Sequence, residues 1–173
     1  MAVSLYDLSV ASFLQTLGGV AGFLQRGIDH CRDNNIDPSE IVETRLCRDM
    51  LPFRFQIVSV AHHSLGAIEG AQRGLFAPPG ETPPHDYAAL QKLVADAREG
   101  LLRLTTDEVN ALEGGEVVFQ IRDFKMPFTA EGFLMSFSLP NFYFHATTAY
   151  DILRSKGVPL GKRDFLGRLR LKQ

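Results

Sequence analysis

"PNFYFHATTAYDILRSKG", residues 140–157, decides how this chain folds. Asn141, Phe142, Thr148, Ala149 and Ile152 lie three, four or seven residues from His145, so they share its face of a helix. Gly157 followed by Pro159 ends that helix. The stretch therefore predicts a buried helix carrying one imidazole among aromatic rings. Such an imidazole is a metal ligand, an acid/base group, or a core residue with a satisfied hydrogen bond.

Working backwards, the same helix is expected to start near Thr129 and to kink at Pro140. Before it, "EVVFQIRDFKMPF" alternates Val117, Phe119, Ile121 and then Phe124, Met126, Phe128 around Arg122-Asp123, which predicts a small hairpin. Pro127 demotes its second arm to an edge. Three further long helices are predicted. The first spans Ser4 to Cys31, with Val10, Phe13, Leu14, Leu17, Val20, Leu24 and Ile28 inward. The second runs from Pro52 to about Arg73, and the third follows a cap near Asp86 and ends at Leu104. Short helices are expected from Pro38 to near Arg48 and within "TTDEVNALEGG", while "APPGETPPHD" can only be a linker. The fold class predicted is all-α: a four-helix bundle with short extra helices and a small β-hairpin before the last helix, forming one domain over 1–173.

The totals narrow the function classes. A net charge of −2 gives no electrostatic case for nucleic acid or an anionic membrane. Cys31 and Cys47 form no CxxC pair. The amino terminus lacks a basic leader, and no uninterrupted apolar run approaches the ~20 residues of a membrane helix. A soluble, cytoplasmic chain is expected. The basic residues Lys162, Arg163, Arg168, Arg170 and Lys172 near the end are read as solvated or locally paired. "GVPLGKR" is one residue short of a phosphate-binding loop and follows a helix instead of a strand.

Of the histidines, His30 and His85 are expected in solvent. Around His63 the helix face carries Ser59, Val60, Gly66, Ala67 and Gly70, small residues that permit a cavity or a close neighbour. The face around His62 is bulkier and partly charged, so His62 is placed at the rim. His63 and His145 are the candidate pocket residues and metal ligands, with Asn141, Thr148 and Tyr150 completing the expected pocket. No nucleophile elbow and no spacing that selects a catalytic triad is present.

The blocks "SLYDLSV", "CRDMLPFRFQI", "HHSLGA" and "LPNFYFHATTAYDILRSKGVPLGKRDFLG" resemble an uncharacterised family of the DinB-like (DinB/YfiT) superfamily, from Ser4 to Gly167. The resemblance implies a four-helix bundle. It also implies relatives that use a divalent metal and low-molecular-weight thiols, the metal held by one histidine of the second helix and an H-x-x-x-H pair on the last. His63 and His145 match two of those positions; Ala149 stands at the third. The cofactor implied is zinc or nickel, and with Ala149 in place of a ligand the expectation is that none is bound. The expected partners are a small organic ligand and a second copy of the chain. Two functions follow: a small-molecule pocket protein of the degenerate metal-dependent, thiol-transferase-like enzyme kind, or a non-catalytic dimeric binding or structural protein without metal.

Overall fold

The computed structural model describes residues 3–80 and 84–172. A short α1 (Leu5–Leu8), capped by Ser4, turns at Ser9 into the long α2 (Val10–Asp33). The predicted first helix is thus interrupted once, where the Ser9 hydroxyl bonds the Leu5 carbonyl at 2.6 Å. Asp37 caps α3 (Pro38–Val42) with Pro38 in its first turn, as the sequence pattern requires, but this helix stops short of Arg48. The second long helix is split into α4 (Phe53–His62) and α5 (Leu65–Arg73), with the break at His63-Ser64. After β1 (Leu75–Phe76) comes the proline-rich linker, of which residues 81–83 lie outside the described residues, and Asp86 then caps α6 (Tyr87–Leu102). Thr105 and Glu108 close a reciprocal capping box on α7 (Thr106–Asn110).

The hairpin forms as β2 (Glu116–Ile121) and β3 (Phe124–Thr129), antiparallel with Val118 opposite Pro127. β3 is an edge, as Pro127 demands. The sequence reading missed β1, which adds to β2 in parallel and pairs Phe76 with Phe119. A two-residue strand carries too little periodicity to be seen in sequence.

Thr129 then caps α8 (Ala130–Gly132), which runs into a π-helical stretch (Phe133–Ser138) and on into α9 (Leu139–Ser155). The expected disturbance at Pro140 therefore falls in the turns before it. A proline lacks the N–H for its own turn and crowds the carbonyl four residues back, and a wider turn relieves both. Gly157, at φ +86°, closes α9.

α2 packs on α6 and α9, and α4 packs on the same two, which makes a four-cornered bundle. Apolar side chains from Leu5 to Leu160 form one connected core. By length and mean hydropathy alone, Leu5–Asp33 is long and apolar enough to cross a membrane, although polar residues interrupt it as the sequence reading has it; half of its most apolar window is buried, as in a core helix. Cys31 is buried and Cys47 exposed, and both are free. The basic carboxy-terminal segment is partly tied down. α10 (Lys162–Leu166) packs on α2, with Arg26 and Asp164 paired at 3.4 Å.

Candidate functional site at a facing pair of histidines

The break in α4–α5 and the wide turns before α9 occur at the same level of the bundle, on helices that pack together. His63 caps the carboxy-terminal end of α4, and its carbonyl has no N–H partner in the following turn among the described residues. Ser138, the last residue of the π stretch, donates its hydroxyl to that carbonyl at 3.1 Å. The same hydroxyl oxygen lies 3.3 Å from His63 Nδ1. One hydroxyl has one proton, so Nδ1 of His63 is the donor in the second bond.

His145 reaches the pair from α9. Its ring centroid is 5.9 Å from that of His63, with the planes 19° apart. His145 Nδ1 is 2.8 Å from Gln56 Oε1. Gln56 Nε2 donates to the Leu51 carbonyl at 2.8 Å, which fixes the amide and makes His145 Nδ1 the donor. Gln56 is only 2 % exposed. The sequence reading passed over it, yet it lies seven residues before His63 on the same helical face, a polar residue in an apolar run. Ser138 was missed as well, because only the wide turns aim it at α4.

Phe76 and Phe137 flank His63 at 5.4 and 5.8 Å, and Phe55 and Phe144 flank His145 at 5.8 and 5.2 Å. Burial lowers the pKa of His63 to about 3, helped by the charges that His62 and His145 would carry. Burial alone lowers His145 to about 4. Both rings are therefore neutral at pH 7, each with its proton on Nδ1 and a lone pair on Nε2. No described residue bonds either Nε2, and no buried side-chain polar atom among the described residues lacks a partner. Each Nε2 accordingly reaches solvent.

The other expected residues go elsewhere. Asn141 donates to the Phe137 carbonyl at 2.7 Å and Thr148 to the Phe144 carbonyl at 2.8 Å, bonds within their own helix. Tyr150 packs on Phe23 and Phe165. The small residues around His63 serve a close neighbour: Phe76 lies against Gly70, where a Cβ would sit 2.8 Å from its ring. His62 is half-buried, stacks on Phe76 at 4.4 Å and lies 2.7 Å from the Ala77 carbonyl through Nε2. With His85, which is also half-buried, it lines a separate, mainly apolar cleft of about 270 Å³ between α4–α5 and α6.

Two imidazoles sharing one tetrahedral metal have ring centroids about 5–6 Å apart, given metal–nitrogen bonds near 2 Å. The pair meets that spacing, and Gln56 and Ser138 bond the Nδ1 atoms, as the partners of metal-bound imidazoles do. The donor set stops there. Ala149 is fully buried in the core, Glu69 faces Arg73 at 3.9 Å, and no group of three or more His, Cys, Asp or Glu among the described residues is placed to hold a metal. Two neutral ligands do not make a resident catalytic metal site.

Residues 5–166 match the family described as a domain of unknown function, DUF1993. The chain belongs to that family. A crystal structure described as a DinB family member protein from Shewanella denitrificans is similar to this DUF1993 chain with a TM-score of 0.81 and 24 % sequence identity. The match covers 98 % of this chain and 95 % of that one. The fold is therefore DinB-like. No curated protein sequence matches the chain.

Proposed function

We propose that this DUF1993 protein binds a small organic molecule at the His63–His145 pair, without a resident catalytic metal. The observation that carries the reading is two neutral imidazoles on facing helices, locked through Nδ1 and open at Nε2. A core histidine kept only for packing needs no open nitrogen, and its second nitrogen is ordinarily paired when buried. The irregular turns that bring Ser138 to His63 add to the case, since π turns collect at functional sites.

The test is a fragment screen on the full chain, read through the imidazole resonances of 15N-histidine, with His63→Ala and His145→Ala as controls. Fragments that shift both rings, and no longer bind either variant, support the reading. Binders that touch only the His62 cleft overturn it. Elemental analysis of the purified protein is expected to give well under one zinc or nickel per chain.

A second reading makes the pair a hydrogen-bonded structural element of a dimeric binding protein. Met135, Tyr143 and Phe144, exposed apolar side chains on the last helical stretch, favour it. Sedimentation of the wild type and a Met135→Lys/Phe144→Lys variant tests it: a dimer that the double substitution dissociates is the expected result.

A further inference from the structure

The bonds that hold the two rings also define which group they accept, provided the pair is a ligand site as proposed. Gln56 is oriented by the Leu51 carbonyl, so only its oxygen can face His145. Ser138 is oriented by the otherwise unbonded His63 carbonyl, so only its oxygen is free for His63 Nδ1–H. Both rings are thereby held in the Nδ1–H tautomer and turn lone pairs outward. His62 offers no donor in compensation, since its Nε2 is committed to the Ala77 carbonyl. Its ring lies 5.5 Å from that of His63, yet no group of three or more His, Cys, Asp or Glu among the described residues is placed to hold a metal. A carboxylate or phosphate would set its own lone pairs against two others, and a cation would meet no opposite charge. A neutral NH2 group suits the pair. It carries two hydrogens, one for each lone pair. The two rings, 5.9 Å apart between centroids, are close enough to address one small molecule. The phenyl rings of Phe55, Phe137 and Phe144, partly or largely exposed, offer an apolar seat for the rest of such a molecule.

We infer that the His63–His145 pair is an acceptor-only site for a neutral ligand presenting an NH2 group on an apolar body, such as a primary aromatic amide, and that Gln56 and Ser138 are positioning residues that impose this preference. Benzamide and benzoate test it, being nearly the same shape with opposite hydrogen-bonding character. In long-range 1H–15N spectra of the full chain, both rings should appear as Nδ1–H tautomers. Benzamide should shift both Nε2 resonances, and benzoate at equal concentration should not. Gln56→Leu should release His145 toward the Nε2–H tautomer and weaken benzamide binding about tenfold, the equivalent of one hydrogen bond. Gln56→Glu, which keeps an acceptor opposite Nδ1–H, should retain the wild-type tautomer; it also serves if the leucine variant does not fold.

An Nε2–H tautomer for either ring in the wild type overturns the inference, as does a benzoate shift equal to that of benzamide. In the second case the pair still binds ligand and only the donor preference fails. Silence from both probes overturns the inference too. If the fragment screen also leaves the pair untouched, the ligand reading falls with it.

Discussion

Where α2 meets α6, regular helix lies on regular helix: Val20, Leu24, Leu90 and Val94 are fully buried, the Tyr87 hydroxyl donates to the Leu24 carbonyl at 2.9 Å, and Gln91 donates to Gln25 at the exposed rim. Where α4–α5 meets the last helical stretch, both partners lose their regularity at one level. There the backbone carbonyl of His63 is satisfied across the interface by Ser138, and Gln56 spans from Leu51 to His145. The first seam is held by apolar area, the second by hydrogen bonds that a continuous helix would have kept to itself. The contrast teaches that the bundle can hold two neutral imidazoles because irregular turns supply their partners.

The largest effect expected from breaking the contrast lies on the apolar side. Phe13 is fully buried on α2, with its ring edge-on to Phe142 at 4.9 Å. Phe13→Ala should lose about 3–5 kcal/mol of stability in urea titration. The imidazole tautomers of the folded fraction should be unchanged.

Acid should strain the histidine seam next. Both rings have folded pKa values, about 3 and about 4, below the ordinary 6.5. Above pH 6.5 neither state protonates them and stability is complete. As pH falls from there toward 4, the unfolded chain takes up the protons first, and stability declines by roughly 1.4 kcal/mol per pH unit for each ring. Urea midpoints at pH 7.5, 6 and 5 should show this slope, and His63→Leu/His145→Leu should flatten it.

The smallest effect belongs to neither seam. Lys92 and Asp96 pair at 2.6 Å on the exposed face of α6. Lys92→Ala should change stability by less than about 0.5 kcal/mol, which sets the baseline against which both seams are judged.

The regular half was readable from the sequence because hydrophobic spacing alone builds it. Val10, Phe13, Leu17, Val20 and Leu24 sit inward as their spacing requires, and Pro38, Thr105 and Gly157 mark helix ends where they should. The facing of His63 and His145 was legible too, since each stands on a core helix. Their hydrogen-bond partners were not. Ser138 aims at His63 only because six residues wind more widely than an α-helix, and Phe76 reaches the histidines only through a two-residue strand paired with a segment more than forty residues away. Spacing along a chain does not encode such long-range geometry. Tyr150, assigned to the pocket with His145, lies five positions on, and its ring packs on Phe23 of α2.

The wide turns at Phe133–Ser138 act as a spacer of one residue inserted into a helix. Removing a single residue there would restore ordinary α-helical turns and leave the segments on either side facing nearly as before, because the wider turns absorb the extra residue. Such a shortened chain would keep its bundle and its hairpin and lose only the wide turns that aim the serine at its imidazole. Length at this point is thus a dial that sets the site independently of the core.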